Sequence, residues 1–124
     1  MDNIIEAHRY IDNAKDMLRE KGQKDGRHYN DKKYVKLAGH AAYTGILLAL
    51  DGYFQHGKRT RKNVDWYKAE LSKIDKKLLA SFNSAYELLH LNMGYDGATN
   101  VTIAIAGLED AEEILNWIEQ RQSI

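Results

Sequence analysis

Residues 31–57 read DKKYVKLAGHAAYTGILLALDGYFQHG, and between Leu37 and Leu50 the only polar side chains are His40, Tyr43 and Thr44. At about 100° per residue, Ala38, Ala42, Gly45, Ala49 and Gly52 fall on one strip of a helix. A strip of small side chains lets a second helix come close, and Leu37, Ile46, Leu48 and Leu50 flank it. A helix apolar most of the way round is buried among other helices. The segment therefore reads as the central helix of an all-α protein, opening at the N-cap candidate Asp31 and stopping at Gly57.

Working outward, Ile4, Ala7, Ile11, Ala14 and Leu18 make a single apolar stripe on a first helix over 3–20, with Asp2 as its N-cap and Gly22 at its end. The link 23–30 is polar and aperiodic, hence a loop. Asn63 is an N-cap residue for a third helix over 63–92, and Asp65 in its first turn suits the helix dipole. Tyr67, Leu71, Ile74, Leu78, Phe82, Ala85 and Leu89 share one face along its whole length, and Gly94 marks its close. After the turn Tyr95-Asp96-Gly97, the β-branched opening Val101-Thr102-Ile103 resembles a strand, but a lone strand would leave its edges unpaired. Val101, Ala104, Leu108, Ala111, Leu115 and Ile118 continue as a helical stripe instead.

The chain has no proline, which suits long helices. Short connections between long helices favour antiparallel neighbours, so the expected architecture is an up-and-down four-helix bundle, one domain over 1–124. That topology places the loops around Arg27 and Asp96 at one end. The link Lys58–Lys62 and both termini go to the other.

Hydrophobic residues make up 44% and charged residues 29%, a globular composition. With no cysteine, disulfides and thiolate metal sites are excluded. The N-terminus is acidic where a secretory leader needs cations, and the apolar run of the second helix is too short to span a bilayer. The expected setting is the cytoplasm, with no membrane contact. The formal net charge is zero but unevenly spread: residues 1–62 carry 13 Lys or Arg against 8 Asp or Glu, and residues 63–124 carry 5 against 10. Nucleic-acid binders usually show a basic excess, so any basic surface here is local.

Glu87-Leu88-Leu89-His90 has the Glu-x-x-His spacing of di-iron bundles, but that chemistry needs two such pairs and further glutamates. With one pair, and Glu87 opposite the apolar stripe, surface charge is the reading and no metal is expected. His40, Thr44 and Asp51 share a face of the second helix. His40 and Asp51 are three turns apart, roughly 16 Å, too far for an oriented general base, so His40 reads as a core or interface histidine. Lys58, Arg59, Arg61 and Lys62 form the densest cationic cluster, suited to an anion, a phosphate backbone or an acidic partner. Arg27 and His28, with Lys24 and the nearby Lys32, Lys33 and Lys36, form a second basic region interleaved with Tyr29 and Tyr34. Glu109, Asp110, Glu112 and Glu113 wrap the solvent side of the fourth helix. No glycine-rich phosphate loop, Gly-x-Ser-x-Gly or cysteine nucleophile is present, and no cofactor is implied.

The run Lys36-Leu37-Ala38-Gly39-His40-Ala41-Ala42-Tyr43-Thr44-Gly45-Ile46-Leu47-Leu48-Ala49-Leu50 resembles the second helix of the HEPN-like bundles, small bacterial and archaeal helical domains. Order and length of helices are similar over the whole chain. The toxin-type ribonucleases among them carry an arginine followed a turn to a turn and a half later by a histidine on a late helix. None of Arg9, Arg19, Arg27, Arg59, Arg61 or Arg121 is followed by histidine at that distance. The resemblance therefore carries over no catalytic residue and implies a bundle that often dimerises and often serves as a binding module. The expectation is a non-catalytic helical bundle acting through protein contacts, as a homodimer or with a partner protein. The alternative is a nucleotide or RNA binding module using Lys58, Arg59, Arg61 and Lys62 or Arg27 and His28. A third reading, an enzyme working through His40, comes with no substrate.

Overall fold

The apolar stripe of the first segment does what its spacing predicts. Ile4, Ala7, Ile11, Ala14 and Leu18 line the buried face of helix α1 (Asn3–Lys21). The computed structural model describes residues 3–55 and 62–122, so the expected cap Asp2 and the expected stop Gly57 lie outside the described residues. Helix α2 spans Lys32–Phe54, capped by Asp31, whose carboxylate accepts the Lys33 N–H at 3.1 Å. Its regular turns end at Phe54, with Gln55 left-handed at φ 60°.

The small strip of α2 serves close packing. Cβ atoms on Gly45 and Gly52 would come within 3.0 Å of the Ala7 carbonyl and 2.8 Å of Asn3 Cβ. Asn3 also donates its side-chain amide to the Leu48 carbonyl at 3.2 Å. The start of α1 thus lies beside the end of α2, and the two run antiparallel. Ile46, Leu48 and Leu50 are buried as expected, but Leu37 is 43% exposed. It lies on the face of α2 turned away from the core.

The 23–30 link is more ordered than its polarity suggests. Two short strands, β1 (Lys24–Asp25) and β2 (His28–Tyr29), pair antiparallel across a two-residue turn in which Gly26 takes φ +64°. Positive φ at the first turn residue alone is the type II′ hairpin geometry, which glycine adopts without a steric penalty. The hairpin is tied to the segment before the last helix: Tyr29 donates its N–H to the Thr99 carbonyl and Val101 donates to the Arg27 carbonyl, both at 2.9 Å. The Arg27 loop and the turn after Tyr95 therefore share one end of the molecule, as the topology requires.

The third helix is where the sequence reading needs correction. It is three pieces: α3 (Val64–Ser72), α4 (Lys76–Ala85) and a π-helix (Tyr86–Tyr95). Asn63 caps α3 as expected, accepting the Trp66 N–H at 3.0 Å. The break comes from Asp75, whose extended backbone and carboxylate, accepting the Leu78 N–H at 2.9 Å, start a new helix. A local cap overrides the apolar period here. Ile74, assigned to the buried face, falls in the break and is 39% exposed, while Tyr67, Leu71, Leu78, Phe82, Ala85 and Leu89 are buried.

Helix α5 (Val101–Gln122) is a helix from its β-branched opening onward, with Val101, Ala104, Ala111, Leu115 and Ile118 buried and Leu108 half-buried. It runs antiparallel to α1, joined by His8 to Glu119 at 2.7 Å and by Lys15 to Glu112. Ser81 of α4 donates to Glu113 at 3.0 Å. The described chain is thus all-α apart from the hairpin, and α2 packs against α1, the π-helix and α5. Among the described residues no helix is long and apolar enough to cross a membrane.

Candidate functional site

A π-helix has a wider turn than an α-helix because each N–H reaches back five residues, and such segments are rare and concentrate at functional sites. The wider turn needs room on both sides. Glycine supplies it. A Cβ on Gly39 of α2 would lie 2.5 Å from the Leu89 carbonyl oxygen and 2.7 Å from Met93 Cβ, and one on Gly107 of α5 would lie 2.6 Å from Leu89 Cδ2. The π-helix is clamped between two backbones that carry no side chain at the point of contact.

Its register gathers an aromatic cluster around His90. Tyr86 and Tyr95 lie with ring centres 5.2 Å and 5.1 Å from the imidazole, and Tyr43 of α2 lies 4.6 Å away. His40, one turn before Tyr43 on α2, completes the group at 6.2 Å from His90 with the rings 75° apart. The His40 ring rests on the π-helix backbone, since a Cβ on Gly94 would meet His40 Cε1 at 3.0 Å. Tyr95 is 64% exposed and His40 is also exposed, so the cluster opens to solvent on that side. The Lys68 ammonium lies 5.0 Å over the Tyr86 ring.

His90 Nδ1 is buried and has no hydrogen-bond partner, a rarity for a buried ring nitrogen. Burial, and secondarily the neighbouring His40, hold the His90 pKa below the ordinary imidazole value. The ring is therefore held in its neutral form, with one N–H and one lone pair shared between its two nitrogens. No carboxylate bonds to Nδ1, so the Asp–His pairing that makes a general base is not assembled at this atom. The cluster offers aromatic faces and an imidazole nitrogen to a bound molecule.

His40, expected as a core or interface histidine, is exposed. Thr44 is half-buried and Asp51, on the same helix, is 1% exposed. Asp51 accepts a hydrogen bond from the Tyr67 hydroxyl, which α3 brings over that end of α2. Arg27 and His28 are exposed on the hairpin. His28 Nδ1 lies 3.3 Å from Thr99 Oγ1, and His28 bridges to Asn100. Lys62 is exposed, while Lys58, Arg59 and Arg61 lie outside the described residues. Glu87 points to solvent as expected. Among the described residues no group of three or more His, Cys, Asp or Glu side chains is placed to hold a metal ion.

Tyr43, Tyr86, His90 and Tyr95 were not assembled from the sequence. Tyr86 and His90 share a face at ordinary helical spacing, but Tyr95 joins them only because the turn is widened. The signal that points there is glycine: Gly39, Gly94 and Gly107 stand in otherwise good helix-forming stretches.

Fold and site together define an all-helical protein with a histidine–tyrosine cluster set on a π-helical segment. The chain belongs to the family described as domain of unknown function DUF5618, whose model matches residues 2–120. A solved structure of a protein of unknown function from Dyadobacter fermentans is similar at 52% identity and a TM-score of 0.91, covering 96% of this chain and 95% of that one. No curated protein matches the chain.

Proposed function

We propose that this protein is a non-catalytic, cytoplasmic bundle of the up-and-down four-helix, HEPN-like kind that works by docking protein, with a second copy of itself as the partner. The observation that carries this reading is the outward stripe of α2. Leu37, His40, Ala41, Thr44 and Leu47 succeed one another at helical spacing without a single charge. Leu37 and His40 are exposed and the other three half-buried. Solvated helix faces are normally charged, and an uncharged one with an exposed leucine marks a contact surface. A twofold dimer needs a patch that complements itself, and small residues between His40 and Leu47 leave room for the same helix of a second copy. Sedimentation equilibrium over a wide concentration range tests it. The native chain forms dimers, and Leu37→Glu shifts it to monomer with helical content unchanged. A native monomer at high micromolar concentration removes the proposal.

A second reading, a nucleotide or RNA binding module, is favoured by a different feature. A cleft of about 340 Å3 is lined by Lys15, Arg19, Lys24 and Tyr29, beside the hairpin that carries Arg27 and His28. Cations around an aromatic ring suit a base and its phosphate. Lys15 and Arg19 are already paired with Glu112 and Asp16, which weakens the field the cleft offers an anion. Titration with a fluorescent single-stranded RNA at low and high salt decides this reading, since phosphate contacts make binding fall steeply with salt.

A further inference from the structure

We propose that His40 and His90 form a two-imidazole site for a borderline divalent transition-metal ion such as zinc, nickel or copper. The inference goes beyond the docking role and stands on separate observations. The first is distance. Imidazole nitrogens sit about 2.0–2.1 Å from such an ion, which puts the centres of two rings sharing it about 5–6 Å apart. The His40 and His90 ring centres are 6.2 Å apart. His40 is the exposed member of the pair and so the one that can turn toward a shared ion.

The second observation is the unpartnered ring nitrogen. His90 Nδ1 is buried without a hydrogen-bond partner, and a coordinated ion satisfies a buried ring nitrogen that the protein itself leaves unbonded. Imidazole suits zinc, copper and nickel rather than magnesium or calcium, which take oxygen.

Orientation and access complete the case. Tyr43, Tyr86 and Tyr95 pack around His90 and restrict its ring, while the π-helix clamped by Gly39 and Gly107 holds its backbone. His40 lies on the surface, so an ion has a way in. With no third His, Asp or Glu placed beside the pair among the described residues, the other coordination positions fall to solvent or to an incoming ligand. Such a site is open and exchangeable, unlike the closed four-ligand sites that hold folds together.

Calorimetric titration of the untagged full chain with Zn2+ alone, and the visible spectrum with Co2+ alone, test the proposal. The expected result is saturable binding with a Co2+ spectrum showing nitrogen ligands. His40→Ala removes an exposed side chain and leaves the fold in place. It is expected to weaken binding by at least about tenfold, since even outer-shell partners are worth about 10–100-fold in metal affinity. His90→Gln is expected to do the same, while His8→Ala and His28→Ala leave binding unchanged. Absence of saturable Zn2+ binding to the native chain overturns the proposal, and so does equal binding by His40→Ala. Because His40 also lies on the stripe proposed for docking, sedimentation of metal-free His40→Ala is read beside the titration, and lost Zn2+ binding in a variant that still dimerises assigns the loss to the metal site.

Discussion

Gly39 shows how much a single missing side chain decides. A Cβ there would meet the Leu89 carbonyl oxygen at 2.5 Å, Met93 Cβ at 2.7 Å and the Gly94 nitrogen at 2.9 Å. Two of the three are backbone atoms of the π-helix, which cannot swing aside as a flexible side chain can. Gly39→Ala is therefore expected to destabilise by about 1–3 kcal/mol as overpacking, despite alanine's better helix propensity. Urea unfolding of the two proteins measures it, and an unchanged or raised midpoint would show that the π-helix is not held there. The buried pair of Tyr67 and Asp51 makes a second case. Tyr67→Phe removes the hydroxyl that donates to the Asp51 carboxyl group and is expected to lower stability by about 1–3 kcal/mol, read by the same measurement.

At the scale of elements, the sequence is most legible where one stripe runs through one helix. All five stripe residues of α1 are buried, and so are five of the six of α5. Period alone misleads where a polar residue competes for the backbone. Asp75 caps a new helix inside the expected third one, and the apolar spacing around Ile74 carries no sign of it. The π-helix is hidden for a different reason: its extra residue per turn is allowed by glycines on two other helices, a tertiary fact. His90 is consequently the group whose environment could least be read in advance. Its pKa is lowered by burial and then by His40. Because its folded value lies below the ordinary 6.5, the unfolded chain takes up this proton first on acidification. The stability that the neutral ring contributes is complete above that value and is lost as pH falls through it. Thermal midpoints should thus fall between pH 7.5 and 5.5, and His90→Gln should flatten the decline. An equally steep decline in His90→Gln would assign the effect to other groups.

For the whole molecule the question is what the charge asymmetry of the sequence does. Five surplus positive charges in the first half and five surplus negative in the second invite an electrostatic contact between copies. The fold gives part of that attraction an internal outlet, since α1 and α5 lie antiparallel and pair Lys15 with Glu112, beside the His8–Glu119 hydrogen bond. These pairs are well exposed, with side chains 38–47% accessible, and exposed pairs are worth only about 0–1 kcal/mol each. The α2 stripe proposed for docking carries no charge at all. An association made there rests on apolar burial, which salt does not screen, whereas contacts between a basic loop and an acidic helix weaken once the screening length drops to about 3 Å at 1 M salt. The dimer dissociation constant measured by sedimentation at low salt and at 1 M sodium chloride should therefore stay level or tighten. A large loss of dimer at high salt would move the interface away from α2 and onto the charged surfaces, and it would leave Leu37→Glu without effect.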